Sequence, residues 1–204
     1  MEFIYRFMKK ILNIIPGGFF GLLSVSFAFV GILTSFLTFP GYNIVFCDVS
    51  YLAAGPLGFI FNLGLIISGV VAIPFHFYMN TLAVNDSINP RLRKFALSLS
   101  LVSSLALSLI GFFPVLTDNI IVLLIHGILA LLTFGGITIY CFLYGIFFIK
   151  IAKFSILHSY LSFLVSAIFI FYFINRWSLV EWIGVGSIMV WITYNAIFTL
   201  FKKI

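Results

Sequence analysis

Charge is what this sequence most lacks. Of 204 residues, 8% are charged and only five are acidic. A water-facing surface needs roughly 25% charged residues, so this chain cannot clothe itself in polar side chains, and its solvent is lipid. Cysteine is almost as scarce. Cys47 and Cys141 cannot form a disulfide framework, and the topology below sets them near opposite faces of a membrane, beyond disulfide reach. Both read as small apolar packing residues. There is no phosphate-cradling glycine loop, no His-Glu metalloprotease pair and no serine nucleophile set. The longest loops, 40–55 and 80–93, are too short for catalytic domains.

Apolar length is what the sequence has. Hydrophobic residues make up 63%, with 27 Phe among them. A helix needs about 20 apolar residues to cross a hydrocarbon core of roughly 30 Å. Six stretches qualify: 18–39, 56–79, 94–113, 120–149, 154–174 and 179–201. The expected fold is therefore all-α, a polytopic bundle of six transmembrane helices over 17–204. The fourth stretch is long enough to demand tilt. Pro74, in the last turn of the second, should bend or end that span. Ahead of the bundle, residues 1–16 place Phe3, Ile4, Phe7, Met8, Ile11 and Leu12 on one helical face and Arg6, Lys9 and Lys10 on the other. That is an amphipathic interfacial helix ended by Pro16-Gly17-Gly18. No small-residue cleavage signature follows it, so it is not read as a removable signal.

The basic residues fall on one side. Arg6, Lys9, Lys10, Arg91, Arg93, Lys94, Lys150, Lys153, Lys202 and Lys203 share one set of loops and termini, leaving Arg176 opposite. Loops of this bias remain in the cytoplasm. Both termini are expected there, in a plasma membrane, and the charges need no nucleic-acid partner. Small residues form stripes: Gly21, Ser24, Ala28, Gly31 and Ser35 in the first span, and Ser100, Ser104, Ser108 and Gly111 in the third. Such stripes let helix backbones approach closely. They serve either a compact bundle or the seam of a homo-oligomer. An internal repeat is suggested by Lys94-Phe95 and Lys153-Phe154, with Ser100 and Ser103 matching Ser159 and Ser162.

No acidic or basic residue falls at the hydrocarbon centre, which argues against an ion-coupled transporter. Polar residues gather at the ends instead. The external set is Asp48, Ser50, Asn62, Asp118, His126, Arg176 and Glu181. Asn62 and His126 sit at similar depth in spans two and four. A histidine beside carboxylates suits a general base or a metal ligand. The ordinary roles are also open: Asp118 as a helix N-cap, Arg176 with Glu181 as a loop ion pair, Asn62 with His126 as an interhelical hydrogen bond. On the cytoplasmic side, His76 and His158 appear depth-matched, as bis-imidazole haem ligation would need, or else serve as interfacial anchors.

Ser50-Tyr51-Leu52 through Gly55-Pro56, Phe61-Asn62-Leu63-Gly64-Leu65-Ile66 with Ser68-Gly69, Leu109 to Pro114, and Ile125-His126-Gly127 resemble, over about 48–134, a prokaryotic six-span membrane family of unknown function. That family is similar, distantly, to the DRAM-like eukaryotic membrane proteins, some of which act in lipid or GPI-anchor handling. The resemblance implies a six-span fold in a prokaryotic plasma membrane and points to Asn62 and His126. It implies no established reaction.

The leading expectation is a non-catalytic accessory subunit or scaffold, packed against membrane lipids and other membrane proteins. The alternative is a lipid-handling enzyme or lipid-binding protein with its site at the external ends of spans two and four, using Asn62, His126, Asp48, Asp118 and Glu181. A haem-binding electron carrier through His76 and His158 stands third. No resident metal is expected.

Overall fold

The computed structural model describes residues 2–115 and 119–201, with side chains from residue 6 onward. It is all-α. Helix α1 (Glu2–Ile14) lies ahead of six long apolar helices: α2 (Gly17–Leu37), α3 (Gly58–Leu82), α4 (Pro90–Ile110), α5 (Ile120–Lys150), α6 (Ile156–Asn175) and α7 (Ser178–Phe201). Each of the six is long and apolar enough to span a bilayer. Pro16 divides α1 from α2, since proline has no N–H to continue a helix and disfavours helical geometry in the residue before it.

Helix boundaries follow caps more than hydropathy. The third span begins at Pro90, one turn before Lys94, because the Asn89 side chain accepts from the Arg91 N–H at 2.8 Å and Pro90 fits the first helical position. Asn119, rather than Asp118, caps α5: its Oδ1 accepts from the Ile121 N–H at 2.9 Å. Asp118 itself lies outside the described residues. Pro74 does not end α3, which continues two turns beyond it to Leu82. Neighbouring helices tolerate proline in a membrane span by packing around the interrupted turn. The suggested repeat is not supported by helix position: Lys94 lies inside α4, whereas Lys153 precedes α6.

The six helices pack in chain order, and α7 returns to α2, so the bundle closes as a ring. Closure depends on small residues. At the α2–α3 crossing, a Cβ on Gly64 would stand 2.8 Å from the Phe27 carbonyl oxygen, and one on Gly31 would stand 3.1 Å from the Ile60 oxygen. On the α7 side, a Cβ on Gly18 would collide with the Ala196 carbonyl. The Ser24 hydroxyl donates across the seam to the Ser68 carbonyl at 3.0 Å. Lipid supplies no hydrophobic drive between helices, so this proximity and these hydrogen bonds are what hold them.

The two ends of the ring differ. At the end carrying Lys150 and Arg93, aromatic rings fill the core: Tyr140, Tyr144 and Trp191 stand within about 6 Å of one another, and Phe148, Phe154 and Phe198 continue the column. Trp191 Nε1 donates to Ser162 Oγ at 2.7 Å and pins this column to α6. At the other end, the segment between α2 and α3 folds over the ring and carries a short 3-10 turn, Val49–Ala54.

Gly64→Ala should lower thermal stability by about 1–3 kcal/mol, since backbone atoms block the new methyl. Gly135→Ala, where a Cβ meets nothing within 4 Å, should leave stability unchanged or slightly raised. Thermal unfolding of the detergent-solubilised variants checks both.

Candidate functional site

The ring encloses a cavity of about 560 Å³, within the roughly 300–1,000 Å³ typical of small-molecule sites. All six long helices contribute to its wall. Ala28 and Ile32 face it from α2, Leu65 and Ala72 from α3, Val185 and Ile188 from α7. Most of the wall is apolar, and several of its hydroxyls are already bonded to backbone carbonyls: Ser103 to Leu99 at 2.9 Å and Ser104 to Ser100 at 2.8 Å.

At the mouth, polar groups are held by a latch of aromatic donors. The Tyr42 hydroxyl donates to the carbonyls of Cys47 at 3.2 Å and Asp48 at 2.7 Å, and Trp182 Nε1 donates to the Cys47 carbonyl at 3.1 Å. Burial pushes the Tyr42 phenol well above its ordinary pKa, so it stays protonated and remains a donor. The Ser178 hydroxyl donates to Asp48 Oδ1 at 2.6 Å, tying the α6–α7 turn to the 3-10 segment. Glu181 is only 4% exposed. It accepts from the Tyr172 hydroxyl at 2.9 Å, and the Val49 N–H and the Asp48 carboxylate are its other neighbours.

Arg176 completes the rim. Among the described residues it is the one non-glycine with positive φ, 55°, ending α6 with its N–H on the Tyr172 carbonyl at 2.7 Å. Glycine normally occupies that capping position. The guanidinium stands 5.6 Å from the Tyr172 ring centroid, a cation–π arrangement. Tyr172 thus lies between Arg176 and Glu181, offering its face to one and its hydroxyl to the other.

The cavity also opens sideways. Its wall includes Leu124, Ile128 and Leu131, which are exposed on the outer face of α5, and Phe173 on α6. Between them a Cβ on Gly127 would meet nothing within 4 Å. Lower down, α5 and α6 close together where Phe134 stacks on Phe169 at 5.1 Å. The gap above that contact faces the surroundings of the bundle.

Of the residues expected from the sequence, Asp48, Ser50, His126, Arg176 and Glu181 all line this one cavity. Asn62 does not; it lies in α3 where its backbone carbonyl packs against Gly111. Of the Asn62 and His126 pair expected at equal depth, His126 alone lines the cavity. His126 is 8% exposed and its Nδ1 donates to the Phe113 carbonyl at 2.7 Å, which leaves Nε2 for the cavity. His76 and His158 also part. His76 lines the cavity floor, two turns inside α3 because that helix runs on to Leu82. His158, in the first turn of α6, is enclosed by Phe148, Phe154, Tyr194 and Phe198 and bonded to Ser155 at 2.9 Å. The two imidazoles do not face a shared space. Among the described residues, no group of three His, Cys, Asp or Glu could hold a metal ion.

Tyr172, Ser178, Trp182 and Thr133 escaped the sequence reading. The nine-residue step from Tyr172 to Glu181 across a short turn was the available signal, since two antiparallel helix ends so joined must meet.

A family model described as a protein of unknown function (DUF998) matches residues 22–197. The chain belongs to the DUF998 family. The match takes in the ring from the first turns of α2 nearly to the end of α7 and stops short of α1, well beyond the 48–134 stretch that carried the resemblance. No curated protein and no solved structure matches this DUF998 chain.

Tyr172→Phe should destabilise the protein by about 1–3 kcal/mol, because it strips a buried carboxyl of a donor. Adding Glu181→Leu should recover part of that loss instead of adding to it. A double-mutant cycle by denaturant unfolding reads the coupling.

Proposed function

We propose that this DUF998 protein binds a single membrane amphiphile, holding its apolar body in the ring and its polar head at the mouth. The observation that carries this reading is the cavity: apolar in its wall, polar at one end, and open between α5 and α6. A lipid-derived molecule already in the bilayer reaches such a site sideways without crossing water. The head that fits is cationic at its centre. Asp48 and Glu181 adjoin, and two carboxylates in one confined site repel unless a proton or a cation stands between them. An ammonium there offsets that repulsion, and Arg176 at the rim suits an adjacent phosphate.

Positive charge supports placing the mouth on the external face of a prokaryotic plasma membrane, with both termini cytoplasmic. Arg91, Arg93, Lys94, Lys150 and Lys153 belong to the opposite end of the ring.

A role as accessory subunit or scaffold was motivated by short loops, small-residue stripes, an interfacial helix and an uncharged midplane. Those stripes are used inside the ring: Gly21 packs on Phe75 and Ala196, and Ser104 and Ser108 pack on Gly69. Nothing in them calls for a partner subunit or a second copy.

Native mass spectrometry of protein extracted in mild detergent should show one retained lipid-sized adduct, enriched in amine-bearing lipids. Gly127→Trp, which fills the lateral gap, should reduce the adduct at least several-fold without lowering the unfolding temperature. An adduct-free wild type, or retention unaffected by Gly127→Trp, rejects the reading. Sidedness is tested separately: a membrane-impermeant maleimide should label Cys47 in intact cells, whereas Cys141, fully buried in α5, should stay unlabelled.

A further inference from the structure

Deep in the cavity, two polar side chains line the wall with no partner. Thr133 is 1% exposed and His76 is 2% exposed, and neither Thr133 Oγ1 nor His76 Nδ1 has a hydrogen bond. They differ from the serines around them, whose hydroxyls are turned back onto backbone carbonyls. Threonine can do the same in a helix, as Thr138 does with the Phe134 carbonyl at 2.7 Å. Thr133 does not. A valine would fill its space without any polar atom, and a buried hydroxyl left unpaired is costly.

The spacing is regular. His126, Thr133 and Tyr140 follow one another at seven-residue steps along α5, nearly two helical turns each, so they share the inner face and lie about 10 Å apart along the axis. The His76 ring stands 5.3 Å from the ring of Tyr140. Descending from the mouth, the cavity therefore meets the His126 ring, then a free hydroxyl about 10 Å below, then a free imidazole nitrogen about 10 Å further. Around His76 the core is packed by Phe75, Tyr140 and Trp191.

Resting on the cavity-binding reading, we infer that Thr133 and His76 are two polar stations at successive depths, each of which receives a hydroxyl or carbonyl group on the buried end of a ligand long enough to reach it. The bound molecule is bipolar: an amine-bearing head at Asp48 and Glu181, an apolar middle, and a hydrogen-bonding oxygen at the far end. A hydroxyl offers both a donor and an acceptor to whichever of Thr133 and His76 it reaches. A plain hydrocarbon end would leave that side chain unpaired in a dry site, which is how a protein rejects the analogue lacking the group.

The test compares long-chain amines with and without a terminal hydroxyl, as matched pairs of twelve and sixteen carbons, binding to the full-length protein in nanodiscs freed of retained lipid. The amino alcohols should bind the wild type more tightly than the simple amines, by about 2- to 12-fold for each hydrogen bond made. Thr133→Val should abolish that advantage for the chain length that reaches it while leaving the simple amine unaffected. Thr133→Ser should restore it. His76→Phe should act the same way on the longer pair. Equal binding of both members of each pair to the wild type, or an advantage that survives Thr133→Val and His76→Phe together, overturns the two stations while leaving the cavity reading intact. Failure of every probe to bind overturns both.

Discussion

Two helices in lipid have no water to escape by touching, so a ring of six can close only where backbones come within reach of each other's dispersion forces. In this protein that constraint falls on α2. It sits between α3 and α7, and its inward edge is lined by Gly18, Gly21, Ser24, Gly31 and Ser35, all buried. Gly31 meets Gly64 backbone to backbone, and Ser35 donates to the Leu57 carbonyl at 2.9 Å. Larger side chains on this edge would hold α2 away from both neighbours. The first and last spans would then part, and the space inside would open to lipid along its length.

Because the ring is closed by small residues, its interior is left free for something other than packing. The largest fully buried side chains, Trp191, Tyr140 and Tyr144 among them, gather at the basic end. The half nearer the mouth is lined with Ala, Ser, Leu and Ile, and the volume they do not fill is the cavity. Most polar groups there are bonded within the fold, as Ser24, Ser103 and Ser104 are, and Thr133 and His76 stand out from them. His126 lines the hollow while its Nδ1 is bonded to the Phe113 carbonyl.

Six long apolar helices and a short helix ahead of them were legible because each is a property of sequence-local periodicity. Helix ends were legible only in part: the asparagines at 89 and 119 outrank hydropathy at the boundary, and a capping side chain leaves no trace in an apolar window. At the site, Asp48, Glu181, Arg176 and His126 stood out because a charged or titratable residue in so apolar a chain is rare. Asn62 stood out as a polar residue at the depth of His126 and is not among the residues that line the cavity. His76 and His158 failed as a pair because α3 continues past Pro74. Thr133 was invisible. One threonine among several in apolar helices acquires meaning only when its hydroxyl is seen to face an empty space.

The aromatic column at the basic end has one more implication. Tyr140, Tyr144, Trp191, Phe148, Phe154 and Phe198 pack against one another there, and among the described residues the lining of the hollow stops at Tyr140 and His76, so the hollow has the form of a cup. On the proposed reading, a cup communicates with one leaflet: a bound amphiphile would be withdrawn from that leaflet or returned to it, and occupancy would follow the composition of that leaflet alone.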